Sequence, residues 1–121
     1  MLLINLQSIS NMFDLCKPIY STMVKRIVLM ELQPGTEIRF LEIFETVKQD
    51  IRAQRGCLSL ELLRSSHEGK TSLWTISLWQ SVDDLETYRA SALFHKTWSE
   101  VKPLFSARAS AWTLTSVDAL P

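Results

Sequence analysis

Hydrophobic positions along the chain switch between two spacings, and these spacings predict its secondary structure. Residues 24–32 are rich in β-branched and apolar side chains and predict a first strand. Residues 57–66 and 72–80 alternate apolar and polar positions with a period of two, which is typical of half-buried strands. The turn at 68–70 is so short that these two strands must be antiparallel neighbours. Residues 107–117 predict a last strand.

Between the first two strands, apolar residues recur with helical spacing. The stripe consists of Phe40, Ile43, Phe44, Val47 and Ile51. It predicts an amphipathic helix over residues 37–54. Thr36 is placed to cap the start of this helix, and Gly56 can end it in the left-handed conformation.

A second helical region follows the third strand. Ser81 and Asp84 form a sequence typical of a helix start, and Ser91 predicts a restart after a bend. The inward positions are Leu85, Tyr88, Phe94, Trp98 and Val101. Pro103 predicts the end of the helix, because proline cannot continue one.

The order β-α-β-β-α-β predicts an α+β, ferredoxin-like fold, an antiparallel sheet with helices on one face. The third strand carries Trp74 on one face and Trp79 on the other, so the face without helices is also apolar. An uncovered apolar face is an aggregation hazard or an interface. We therefore expect two chains to pack sheet against sheet as a homodimer.

Length and charge limit the classes of function. The 121 residues suffice for one domain, which we place at residues 23–121 after an N-terminal extension of residues 1–22. The 13 basic and 13 acidic residues balance, and no run of like charge occurs. Nothing in the sequence therefore favours a nucleic-acid partner, which would normally select a basic face.

Cysteine and histidine usage gives no support for a metal site. The two cysteines, Cys16 and Cys57, form no CxxC motif, and the two histidines are far apart in sequence. The N-terminus lacks the basic region of a signal peptide, and no apolar run approaches the length of a membrane span. We expect a cytoplasmic protein with reduced thiols and no membrane partner.

Three segments resemble the antibiotic biosynthesis monooxygenase (ABM) domain. They are Gly56-Cys-Leu-Ser-Leu-Glu-Leu, Ile76-Ser-Leu-Trp-Gln-Ser, and Asp84-Leu-Glu-Thr-Tyr-Arg-Ala-Ser followed by Phe94 and Trp98. The resemblance covers about residues 24–115 and implies a dimeric α+β barrel with a small pocket in each subunit. The family includes cofactor-free monooxygenases of quinol-like or polyketide aromatics, haem-degrading enzymes, and proteins without assigned activity.

The functional residues of that family carry over poorly. The position of the haem branch's Asn falls near Val28, and that of its His falls on Trp98. The side chain of Val28 cannot donate a hydrogen bond, and the indole of Trp98 cannot coordinate iron. A His of the quinol-oxidising branch falls on Leu93. Haem binding or degradation is therefore disfavoured, and Trp79 alone carries over.

The resemblance and the helical stripe together give pocket candidates. They are Trp79, Tyr88, Phe94 and Trp98, which can line a dry aromatic cavity or simply fill the core. Possible polar participants are Glu61, Arg64 and His95. Glu61 is expected to need a partner if buried, for example Arg64 or an arginine of a second chain, and His95 is expected to face solvent.

Two functions stay open from the sequence. The first is a cofactor-independent monooxygenase acting on a small aromatic or quinol-like substrate, with no metal or flavin and no assigned catalytic residue. The alternative is a non-catalytic dimer of the same fold that binds a small ligand or serves a structural role.

Overall fold

The computed structural model describes residues 22–121, so nearly all of the predicted N-terminal extension lies outside the described residues. Within this range four strands and three helices follow one another. They are β1 (Val24–Glu31), α1 (Glu37–Arg52), β2 (Cys57–His67), β3 (Lys70–Trp79), α2 (Val82–Arg89), α3 (Ala92–Val101) and β4 (Ser110–Leu114). A short 3-10 turn, Lys102–Leu104, follows α3 and contains Pro103.

The sheet has the strand order β2-β3-β1-β4, and each neighbouring pair is antiparallel. This is the order of a ferredoxin-like fold, so the predicted α+β fold class is confirmed. The β2–β3 hairpin turns through Glu68 and Gly69, which both have positive φ, as a type I′ turn requires.

The core lies between the sheet and the helices. The helix-facing positions of β1 and β3 include Val24, Met30, Leu73 and Trp79, which are buried. Helix α1 buries Phe40, Ile43 and Ile51 against them, as its predicted stripe requires. The period-two pattern of the strands and the helical stripe therefore meet in one core.

Three helix starts were predicted from capping residues, and two are confirmed. The Ser81 hydroxyl accepts a hydrogen bond from the Asp84 backbone N–H, and the Ser91 hydroxyl accepts one from Phe94. Thr36 does stand at the N-cap of α1, but its hydroxyl accepts no capping hydrogen bond and donates to the backbone oxygens of Gln33 and Leu104 instead. These bonds tie the start of α1 to the segment after α3.

The second sheet face carries no helix among residues 22–121. Its apolar side chains, placed there by strand register, are Ile27, Leu29, Leu63, Trp74, Ile76, Leu78, Trp112 and Leu114. Trp112 and Leu114 remain 43% and 48% exposed. We refer to this set of residues as the open sheet face.

Candidate functional site

A cavity of about 930 Å³ lies between the helix-facing side of the sheet and the helices. The strands contribute Arg26 and Val28, and the helices contribute Phe40, Tyr88 and Trp98, among others. Such a volume is within the range of cavities that enclose small organic ligands. The cavity therefore has the size and position of a ligand site.

Aromatic rings form a continuous row from the end of β3 to the segment after α3. Tyr88 stacks on Trp79 with 5.1 Å between ring centroids, and Phe94 meets Tyr88 edge to face at 5.3 Å. Phe94 then stacks on Trp98 at 5.9 Å, and Trp98 meets Phe105 at 5.5 Å. Because each ring packs on the next, this wall of the cavity is a continuous aromatic surface.

Three of the four predicted pocket residues line the cavity, and the fourth lies behind them. Tyr88, Phe94 and Trp98 are lining residues. Trp79 is completely buried, and its indole N–H donates to the Ser77 hydroxyl. Trp79 therefore fills the seam between sheet and helices and supports Tyr88 from behind.

The phenol of Tyr88 is the most strongly perturbed acid of the site. Burial, and to a lesser degree the neighbouring Cys57 thiol, raise the pKa of Tyr88 from 10 to about 12. Tyr88 therefore stays protonated at neutral pH. It can donate a hydrogen bond to a ligand, but it cannot act as a general base there.

Two arginines that the sequence analysis did not select also line the cavity. Arg26 projects from β1 on the helix-facing side and donates to the Thr113 hydroxyl at 2.8 Å. Arg89, at the end of α2, donates to both carboxylate oxygens of Glu86 at 3.1 and 3.2 Å. Burial lowers the pKa of Arg26, nearby Arg89 lowers it further, and Glu86 opposes them.

The three predicted polar participants lie away from the cavity. Glu61 pairs in register with Ile76 and is therefore on the open sheet face, where it is exposed. Arg64 is on the opposite face and forms an ion pair with Glu37. The suggested Glu61–Arg64 pair is therefore wrong. His95 is exposed, as expected, with its ring against Phe94.

The two positions that matter for haem chemistry both fall in the cavity. Val28 and Trp98, on which the resemblance places the Asn and His of the haem branch, are both lining residues. Neither offers the side-chain ligand or amide of the haem-degrading branch. In the described part of the chain, no cluster of three or more His, Cys, Asp or Glu side chains is arranged to hold a metal ion.

Comparisons of structure place the chain among ABM-type folds. Rv0793 from Mycobacterium tuberculosis superposes with a TM-score of 0.71 and 20% identity, over 83% of this chain and 100% of that protein. A cofactor-independent oxygenase from Streptomyces nogalater, SnoaB, gives 0.72 and 19%, over 83% and 98%. A conserved protein from Methanosarcina mazei gives 0.73 at only 9% identity, over 79% and 94%. At these identities the likeness shows the fold alone.

Comparisons of sequence are more specific. No curated protein sequence matches the chain. Among residues 22–121, no helix is long and apolar enough to cross a membrane. The profile of the antibiotic biosynthesis monooxygenase family matches residues 23–99, which is more than half of the chain. The chain therefore belongs to the antibiotic biosynthesis monooxygenase family.

Proposed function

We propose that this protein is a cofactor-independent monooxygenase that oxidises a small aromatic, quinol-like substrate in the cavity beside Tyr88, Phe94 and Trp98. The observation that carries the proposal is the aromatic cavity of about 930 Å³ between sheet and helices. The family supports it, as does the similar fold of SnoaB, which is named a cofactor-independent oxygenase.

The chemistry needs a substrate that can itself reduce dioxygen. For an anthrone, a ring CH₂ becomes a carbonyl: one oxygen atom of O₂ enters the carbon, and the other leaves as water with the two hydrogens. The substrate supplies all four electrons, so atoms and charge balance without another reductant. The task of the protein is to bind the planar ring, exclude water and stabilise the anion that reacts with dioxygen.

Charge in the cavity suits the anionic form of such a substrate. The titratable lining residues among 22–121 are arginines, one lysine and Tyr88, with no carboxylate and no imidazole. A general base is therefore not supplied by these side chains, and neither Glu61 nor His95 reaches the cavity. Arg26 and Arg89 instead favour a deprotonated substrate, because a nearby positive charge lowers the pKa of an acid.

We also propose that the protein is a homodimer formed through the open sheet face. This face presents eight large apolar side chains, including exposed Trp112 and Leu114. Covering them with a second copy removes apolar surface from water, which stabilises the association. The cavity lies on the other side of the sheet, so each subunit has its own site.

Oxygen uptake by the purified, metal-free protein tests the proposed activity. Anthrone should raise uptake well above the rate in buffer, and Val28→Phe should abolish most of that rise by occupying part of the cavity that the ring needs. Val82→Phe is the matched control, because the same substitution falls on an exposed residue of α2 that does not line the cavity. No uptake across a set of anthrones and quinols would leave a non-catalytic binding protein.

A further inference from the structure

We propose that the cavity binds aromatic acids, with a carboxylate of the ligand seated between Arg26 and Arg89 and its ring against Tyr88, Phe94 and Trp98. The aromatic half rests on the proposed function, whereas the carboxylate half rests on the charges and unpartnered atoms described below.

The two arginines form a positive cluster with one compensating acid. Arg89 lies close enough to Arg26 to act on it electrostatically, and Glu86 is an acid that acts on Arg26 in the opposite sense. Two positive charges and one negative charge leave one positive charge. Both arginines line the cavity while Glu86 does not, so the excess charge faces the ligand space.

Two polar atoms at the cavity lack hydrogen-bond partners. Arg89 Nε and Thr97 Oγ1 are both buried and make no hydrogen bond with residues 22–121, although both residues are lining residues. A buried donor without an acceptor costs free energy, so a ligand that supplies acceptor oxygens is favoured here. Another nitrogen of the Arg89 guanidinium, Nη1, already donates to Glu86.

A carboxylate fits these features better than a neutral oxygen. It brings one negative charge, which matches the excess charge, and two acceptor oxygens, which match the two unpartnered groups. It is ionised at neutral pH without a general base, which no described lining side chain provides. Exposed Lys102 and Arg108, which also line the cavity, add attraction for an anion.

Binding of naphthoate and of its neutral amide, naphthamide, to the metal-free protein tests the proposal by titration calorimetry. The two probes share the ring and differ in the charged group. We expect naphthoate to bind at least about tenfold more tightly, since a hydrogen bond to a charged group is worth that much or more. Equal affinity of the two probes for the unmodified protein would overturn the proposal.

Variants localise the effect. Arg26→Gln and Arg89→Gln should each weaken the binding of naphthoate by about tenfold and leave the affinity for naphthamide unchanged. Arg89→Lys, which keeps the charge and removes Nε, should recover part of the loss. Arg55→Gln is the control, because it removes the same charge from an exposed residue outside the cavity. Loss of both probes together, or an equal loss in Arg55→Gln, would contradict the site.

The test separates this inference from the proposed activity. If anthrone drives oxygen uptake but naphthoate shows no advantage over naphthamide, the carboxylate site is wrong and the monooxygenase stands. If naphthoate binds through the arginines and no quinol or anthrone consumes dioxygen, the acid site stands and the activity is wrong.

Discussion

Gly56 joins α1 to β2 at a point where a side chain would strike α2. Its φ is +81°, in the left-handed region, and a Cβ built there would lie 2.3–2.5 Å from Oδ2, Cγ and Cβ of Asp84. Asp84 is held in place by Ser81, whose hydroxyl accepts a hydrogen bond from the backbone N–H of Asp84. Because the Cβ of Asp84 is itself too close, rotating the carboxylate away cannot relieve the clash. We therefore predict that Gly56→Ala displaces α2, the helix that carries Tyr88.

Gly35 provides the matched control. It has nearly the same φ, +80°, but a Cβ there would meet nothing within 4 Å. A left-handed residue with a Cβ costs about 1–2 kcal/mol, partly offset by a less flexible unfolded chain worth about 0.4–1 kcal/mol. Gly35→Ala should therefore lower the free energy of unfolding by roughly 1 kcal/mol. Gly56→Ala adds an overpacking cost of about 1–3 kcal/mol, for a total of about 2–4 kcal/mol.

Thermal unfolding by circular dichroism, at one fixed protein concentration, measures both effects. In a domain of this size each 1 kcal/mol lowers Tm by about 4–8 °C, so the two variants should be clearly separated. Repeating Gly56→Ala in an Asp84→Gly background removes the clashing side chain. The cost of the alanine should then fall to that of Gly35→Ala.

Equal losses for the two glycine variants would contradict a clash between residue 56 and Asp84, because only the conformational cost would then operate. An unchanged cost of Gly56→Ala in the Asp84→Gly background would contradict the clash as well. A larger loss for Gly56→Ala that disappears in the Asp84→Gly background would show that the approach of the two segments limits this position to glycine.

Three further predictions address the site and the interface. Burial raises the pKa of Tyr88 to about 12, so a phenolate absorbance that titrates near 12 should disappear in Tyr88→Phe, and a midpoint near 10 would contradict the burial. Because the phenol ionises at lower pH in the unfolded chain, the free energy of unfolding should fall between about pH 10 and 12, and Tyr88→Phe should lack this loss. Ile76→Lys on the open sheet face should reduce the mass measured by light scattering from twice 13.9 kDa to 13.9 kDa, whereas Ile38→Lys, at an exposed residue of α1, should not. A monomeric unmodified protein at micromolar concentration would refute the dimer. Burial raises the pKa of the Cys57 thiol. In a Cys16→Ser background, Cys57 should therefore react with Ellman's reagent far more slowly in the folded than in the unfolded protein. Equal rates would count against the burial of Cys57.

Much of the fold follows from the sequence because period-two strands fix their own faces. Once Trp74 and Trp79 alternate on β3, register places one on the open sheet face and the other in the core. Helix starts at Ser81 and Ser91 are local, since each needs only a hydroxyl and a backbone N–H three residues later. The hydrogen bonding of the Thr36 hydroxyl could not be predicted in the same way, because this hydroxyl donates to the backbone oxygen of Leu104, which is distant in sequence.

The site is harder to predict because it depends on contacts between distant elements. Arg26 follows Lys25 in β1, and two adjacent charges do not reveal which one faces the helices. The alternation of Val24, Val28 and Met30 contained the signal, since Arg26 shares their face. Trp79 was expected at the cavity, but it is completely buried, with Tyr88 stacked on its ring. That stacking depends on the angle of α2, which no local pattern specifies.

Isotopically labelled dioxygen tests the proposed reaction most directly. Anthrone should be incubated with the metal-free protein under the label and the product analysed by mass spectrometry, with Val28→Phe as the cavity-blocked comparison. We expect anthraquinone that carries one labelled oxygen atom, formed in excess over buffer and over Val28→Phe. Unlabelled product, or labelled product formed equally fast in the blocked variant, would show that this cavity does not perform the oxygenation.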